Sequence, residues 1–302
     1  MANLPFDDRD GSIWLDGRMV PWRDAQIHVL THGLHYGSCV FEGERVYNGQ
    51  VFKLTEHSER LVYSARVLGF DLPITAAEID EATRQVIAAN NIVDGYVRPV
   101  AWRGSEMMGV SAQHNTIRMA IATWEWPSYF DPAARMKGIK LQTSQWARPS
   151  PATAPVHAKA AGLYMICTMS KHAAEGAGFH DALMYDYRGR IAESTGANIF
   201  FVIDGEIHTP EPDCFLDGIT RRTVIGLARE AGMTVIERPM WPDDLEKATE
   251  VFITGTAAEV TPVGLIDSRT YTPGKITETL IDAYTRAVNA PSATASATSA
   301  AE

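Results

Sequence analysis

A chain of 302 residues with 27 lysines and arginines against 37 aspartates and glutamates, net charge −10, offers no electrostatic footprint for nucleic acid and points to small-molecule partners. Its three cysteines, Cys39, Cys167 and Cys214, are far apart, form no C-x-x-C pair and leave an odd number, a usage that suits a reducing cytoplasm. The acidic start M-A-N-L-P-F-D-D-R-D lacks the apolar core of a signal peptide, and no apolar run is long enough to span a membrane.

In chain order, hairpins are predicted at Asp16-Gly17 and Asn48-Gly49, pairs that tolerate the positive φ of a tight turn. Thr55 then reads as the cap of a helix with Leu61, Val62, Ala65 and Leu68 on one face and Gly69 at its end. Thr75 with Glu78 forms a capping box for a second helix reaching about Asn90. Strands over Tyr96–Trp102 and Thr116–Trp124 complete a smaller α/β domain, residues 1–125. The proline-punctuated stretch E-W-P-S-Y-F-D-P-A-A-R-M-K-G places an interdomain linker at 126–138. A larger domain, 139–289, carries a meander with turns at Arg188-Gly189 and Asp204-Gly205, then helices at about Ile219–Ala231 and Lys275–Val288. Residues 290–302 hold too little apolar bulk to pack and read as a disordered tail.

Chemistry is concentrated in four places. In A-P-V-H-A-K-A-A-G-L-Y, Lys159 has no acidic neighbour for ten residues before it and none after it until Glu175, and it precedes a predicted helix. An apolar setting favours the neutral amine, the nucleophile of Schiff-base chemistry, though the same window also suits a lysine whose stem lies along the surface. The small Ala160-Ala161-Gly162 run leaves room for a flat ring. In L-D-G-I-T-R-R-T-V, a glycine turn opens a helix and offers the Ile219 and Thr220 amides to an anion, phosphate above all. The strand end Gly255-Thr256-Ala257 lets a ligand touch the backbone. Glu193 follows an apolar strand, as a solvated turn residue or as the partner of a ring nitrogen. Taken together, a lysine, a phosphate seat and a ring-nitrogen carboxylate describe pyridoxal 5′-phosphate. The H-x-x-H of His32 and His35 lacks a third ligand, so no metal site is expected.

These residues sit in seven motifs: H-x-x-H-Y-G-x-x-V-F-E-G (His32–Gly43), Y-V-R-P (Tyr96–Pro99), M-G-V (Met108–Val110), A-K-A-x-G-x-Y (Ala158–Tyr164), E-x-x-G-x-N-x-F (Glu193–Phe200), L-x-G-I-T-R (Leu216–Arg221) and G-T-A-A-E-V-T-P (Gly255–Pro262). In this order, from about Ser12 to Val288, the sequence resembles the branched-chain amino acid aminotransferases. The resemblance implies a mixed α/β, two-domain fold type IV architecture like that of D-amino acid aminotransferase, with the cofactor in the interdomain cleft of at least a homodimer. It implies that Lys159 forms the aldimine and moves the proton, that Tyr164 bonds the ring hydroxyl and Glu193 the pyridine nitrogen. Arg60, Ile219, Thr220 and Thr256 would hold phosphate, with Leu216 beside them. Tyr36, Tyr96, Arg98, Thr256 and Ala257 would receive substrate carboxylates, and Phe41, Trp126, Tyr129 and Val110 would form the apolar wall, Val110 coming from the neighbouring subunit. Glu44 stands where the resemblance leads to an aliphatic residue, and is read as bearing on side-chain preference. The reaction implied is ping-pong transfer of the amino group of leucine, isoleucine or valine to 2-oxoglutarate. An amine or D-amino acid transaminase, or a lyase of the aminodeoxychorismate type, is the alternative on the same fold.

Overall fold

The computed structural model describes residues 5–126 and 136–290. Both predicted hairpins form, and the backbone explains the residue choice: φ is 48° and 90° at Asp16 and Gly17, and 50° and 77° at Asn48 and Gly49. The strands β1 (Ser12–Leu15), β2 (Arg18–Pro21), β3 (Cys39–Phe41), β4 (Glu44–Tyr47), β5 (Gln50–Val51), β6 (Gly95–Arg103) and β7 (Ile117–Glu125) build one sheet in the order β2-β1-β7-β6-β4-β5. β3 and β4 share β6 as partner, Phe41 opposite Val100 and Glu44 opposite Val97, so residues 39–47 run along β6 with a break at Glu42-Gly43.

A short helix, α1 (His32–Tyr36), precedes β3, and α2 (Leu54–Val67) and α3 (Ala76–Ala89) cover the sheet. Leu61, Ala65, Ile79 and Val86 bury against Val97, Met119 and Ile121. The capping box at Thr75 and Glu78 forms as predicted. The cap at Thr55 does not: α2 starts from Lys53 in the left-handed region (φ 57°), and Thr55 lies inside the first turn. Its hydroxyl donates instead to Asp80 on α3 at 2.6 Å, alongside Ser58 at 2.6 Å. A buried carboxylate between two helices outcompetes the backbone for those donors.

The second sheet comprises β8 (Ile139–Thr143), β9 (Asp181–Tyr185), β10 (Ile191–Ser194), β11 (Asn198–Ile203), β12 (Glu206–Thr209), β13 (Val235–Glu237), β14 (Glu250–Gly255), β15 (Glu259–Ile266) and β16 (Arg269–Thr270). Its order, β10-β9-β8-β15-β14-β11-β12-β13, closes on itself because β10 also pairs with β11, at Glu193 opposite Asn198. Six strands thereby form a ring. All of β11 is buried, since alternate residues serve two cores. Ile199, Phe201 and Ile203 fill the ring; Phe200 and Val202 pack on its outside against Val224, Ile225, Leu280 and Tyr284. Four helices complete this half: α4 (Met165–Gly176), α5 (Ile219–Glu230), α6 (Asp244–Lys247) and α7 (Lys275–Asn289). The two long helices predicted here are α5 and α7.

The helix expected directly after Lys159 opens as a 3-10 turn, Ala161–Leu163, before α4. Gly162 there serves a close backbone crossing. A β-carbon on Gly37 (φ 66°) would stand 3.3 Å from the Gly162 Cα.

Candidate active site

The lysine segment lies against β3 like a short extra strand. The Phe41 amide donates to the Lys159 carbonyl (3.1 Å), the Lys159 amide donates to Ser64 Oγ on α2 (3.0 Å), and Ala160 bridges to Val40. With its backbone fixed on two sides, the half-buried side chain reaches into a cleft, where Nζ donates to Tyr164 Oη at 2.8 Å and stands 5.0 Å from the Phe41 ring centre. The eight residues expected around the cofactor, Arg60, Lys159, Tyr164, Glu193, Leu216, Ile219, Thr220 and Thr256, all line this cleft.

One end of the cleft suits an anion. Helix α5 begins at Gly218 without a side-chain cap, leaving the first-turn amides for a ligand. Glycine is required at that cap, because a β-carbon would overlap Asn198 Oδ1. The Asn198 amide donates to the Leu216 carbonyl at 3.0 Å, fixing the turn. Thr254 Oγ1, buried in the same lining, has no hydrogen-bond partner among the described residues. Arg60 faces this end, but one edge of its guanidinium is already taken: Nε and Nη2 donate to Glu42 at 2.6 and 2.8 Å, and His57 Nδ1 joins Glu42 at 2.7 Å. Burial alone would raise the Glu42 pKa, yet Arg60 and His57 together hold it well below the usual carboxylate range. Burial also pushes the His57 pKa down, against the pull of Glu42. Glu42 lies in the first of the seven motifs and His57 in none of them, and no local spacing pairs either with Arg60.

Glu193 lines the same cleft. Burial pushes its pKa up to about 7, and Arg148 and Lys159 act in the opposite direction. Arg148, itself buried, brings Nε to 3.3 Å from Glu193 Oε1 as a charge contact rather than an aligned hydrogen bond, and donates from Nη1 to Cys167 Sγ. Sequence reasoning missed Arg148, which precedes the lysine motif in an ordinary-looking W-A-R-P. Replacing it with methionine leaves Glu193 buried with less opposing charge. In Arg148→Met the pKa of Glu193 therefore rises further, and the acid limb of the kcat/KM profile should move to higher pH; a profile that stays in place would remove Arg148 from this role.

The expected substrate residues divide. Phe41, Arg98, Tyr96 and Trp126 form a continuous wall leading away from Lys159. The Arg98 guanidinium stands 4.8 Å from the Phe41 ring centre and 5.4 Å from that of Tyr96, and Tyr96 packs on Trp126 at 5.3 Å. Thr256 lines the cleft, with the exposed Ala257 next to it in the chain. Tyr36 and Val110 are elsewhere: both are exposed, Val110 to 83%, and Tyr36 donates to the Met108 carbonyl at 3.1 Å. Tyr129 lies outside the described residues, as do 127–135 of the predicted linker and 291–302 of the predicted tail. The ring nitrogens of His32 meet Ser38 Oγ and the Gly109 carbonyl, and His35 meets the Val29 carbonyl, so the H-x-x-H pair anchors loops around α1. Glu44 is absent from the cleft lining; it points instead into the layer beneath α2 and α3. Gly43 is needed for close approach, since a β-carbon there would overlap the Tyr96 hydroxyl. Gly43→Ala must displace that buried ring, with an expected loss of about 1–3 kcal/mol of stability and a several-fold higher KM for amino acid; unchanged KM would separate Tyr96 from substrate binding.

Fold and site define a class, the pyridoxal 5′-phosphate enzymes of fold type IV. Residues 39–266 match the model of the family Amino-transferase class IV, and the chain belongs to that family. It is 42% identical over 288 residues to the branched-chain-amino-acid aminotransferase of Pseudomonas aeruginosa, covering 93% of this chain and 94% of that one. The T.th. branched-chain amino acid aminotransferase, solved with pyridoxamine 5′-phosphate, superposes with a TM-score of 0.91 at 40% identity, covering 94% of this chain and 96% of that one. The same T.th. enzyme complexed with 4-methylvaleric acid gives a TM-score of 0.88 at 39% identity, with 94% and 96% covered.

Proposed function

We propose that this chain transfers the amino group of branched-chain L-amino acids to 2-oxoglutarate in two half-reactions, using pyridoxal 5′-phosphate. The observation that carries this reading is the Lys159 amine, 2.8 Å from Tyr164 Oη, in a cleft also lined by an uncapped helix start, Arg60 and buried Glu193. The helix start with Arg60 has the chemistry to take a phosphate, and Glu193 that to take a ring nitrogen.

When bound, the cofactor supplies an aldehyde that condenses with amines and a ring that accepts electrons from the substrate Cα. The protein's share is positional and acid–base. Arg60 and the Ile219 and Thr220 amides grip phosphate, with Thr256 and Leu216 flanking them. Glu193 presents negative charge to the ring nitrogen, and a cation there favours its ionised form. Lys159 would take the proton that leaves the substrate Cα, as base, and give it back within the same half-reaction, as acid. Tyr164 orients the amine and bonds the ring hydroxyl.

Phe41 and Trp126, with Tyr129 expected beside them, offer apolar surface to leucine, isoleucine and valine. Arg98 among them, with Tyr96 and the Thr256 and Ala257 backbone, receives carboxylates, including the γ-carboxylate that arrives in the second half-reaction. The T.th. relative's ligand, 4-methylvaleric acid, is the leucine skeleton without its amino group, which supports this division of the pocket. Tyr36 is tied to the Met108 carbonyl, so the subunit that brings Val110 to a pocket also brings Tyr36. Both lie on a face with Val29, Leu34 and Met107 exposed, which favours a homodimer whose pockets are completed by the partner. The division into domains 1–125 and 139–289 belongs to the same reading, as does a cytoplasmic setting with Cys39, Cys167 and Cys214 free.

The test is a panel of L-leucine, L-isoleucine, L-valine, D-alanine and an (R)-amine, each with 2-oxoglutarate. Rates for the branched L-acids should exceed the others by at least about tenfold, a difference of about 1.4 kcal/mol at the transition state. Equal rates with the D-acid or the amine would overturn the reading, and pyruvate release without a 2-oxo acid would point to a lyase.

A further inference from the structure

Behind the Arg60–Glu42 pair lies a second acid that the reaction does not use. Glu44 opens β4 two residues after Glu42, is 0% exposed, and neither carboxyl oxygen has a hydrogen-bond partner among the described residues. An ionised carboxylate without donors in such a place is strongly disfavoured, so the group rests as the neutral acid. Its surroundings are specific. From the β3–β4 break comes Glu42, from α2 come Arg60 and His57, and from α3 comes Asp80, which Thr55 and Ser58 bond and Arg84 approaches at 3.8 Å. On β6 the residue opposite is the apolar Val97. Glu42 and Asp80 disfavour a third negative charge, and Arg60 is the cation that favours it.

We propose that Glu44 is a positioning residue for Arg60, and that loss of its proton weakens the site's hold on the cofactor phosphate. Arg60 divides its charge between Glu42, on its Nε and Nη2 edge, and the anion end of the cleft. A charge on Glu44 draws the guanidinium toward the interior and adds a negative potential behind it, and both effects oppose a phosphate dianion. By linkage the relation is reciprocal: phosphate in the cleft makes Glu44 hold its proton more tightly. One proton then couples to cofactor affinity, with loss of affinity as pH rises through the titration of Glu44.

This inference rests on Arg60 facing the cofactor phosphate, so the experiment must separate the two ideas. Purified holoenzyme and its Glu44→Gln and Glu44→Leu variants are equilibrated with pyridoxal 5′-phosphate from about pH 7 to about pH 10, and bound cofactor is read by absorbance after gel filtration. The wild-type Kd should rise with pH more steeply than that of Glu44→Gln, by up to about tenfold per pH unit for one coupled proton, the difference vanishing at the neutral end. Glu44→Leu, which packs without a polar group, should follow Glu44→Gln, so a folding defect in one variant leaves the other as the measure. Parallel profiles for wild type and variants overturn the role of Glu44 alone. Failure of the wild type to retain cofactor at neutral pH overturns the site assignment and this inference with it.

Discussion

Lys159→Ala should abolish transamination, lowering kcat by about 10⁴-fold or more while leaving the fold intact. That is the upper range for a positioned acid–base group, and this lysine fills a covalent role as well. Little else depends on the side chain: the segment is held by its backbone, through Phe41 and Ser64, and alanine keeps both bonds. The melting temperature should therefore move little. Borohydride reduction of the wild-type holoenzyme should fix the cofactor to the peptide containing Lys159, read by mass spectrometry. Covalent capture of cofactor by the alanine variant would defeat both the catalytic assignment and the proposed function.

Glu42→Ala should have the largest effect on stability. It removes the shared acceptor of Arg60 and His57 and leaves a buried guanidinium without its partner, a loss of about 3–5 kcal/mol. For a chain of this size the melting temperature should fall by roughly 10 °C. The pH dependence has a definite sign. Because the folded pKa of Glu42 is depressed below its unfolded value, its contribution is complete above the unfolded carboxylate pKa of about 4.3 and fades as pH falls toward the depressed value. Wild type and variant should thus differ fully at pH 7 and converge in acid. A variant that melts within about 2 °C of wild type at neutral pH would show that the pair is not structural.

How far the sequence discloses this molecule depends on the range of the interaction. Local rules worked where the controlling atoms are neighbours: the Asp16-Gly17 and Asn48-Gly49 turns, the Thr75 capping box, and the α5 start at Gly218. Thr55 failed because its competitor, Asp80, is 25 residues away on another helix. Of the eight cofactor residues that converge on one cleft, all but Arg60 sit in a quoted motif, and Arg60 was reached only through the resemblance. Arg148, Glu42 and His57 were missed. Each acts through a charge partner brought near only by tertiary packing, which neither periodicity nor turn chemistry records. Glu44 was legible as unusual but not as to direction, since the side-chain alternation of so short a strand depends on where the break before it falls.

The closure of the second sheet also sets where the gene can accept change. Glu193 sits at the seam of the ring, opposite Asn198, and the intervening turn is drawn tight by the Ser194 amide and hydroxyl on the Ala197 carbonyl. With a side-chain period of two, one inserted residue between 194 and 197 would turn Glu193 or Asn198 toward the wrong side of the strand and unlatch the ring. The exposed Asp204-Gly205 turn, one strand further on, has no such duty. Affinity tags, reporter domains or new chain termini belong there, and a library that randomises loop length should spare the seam.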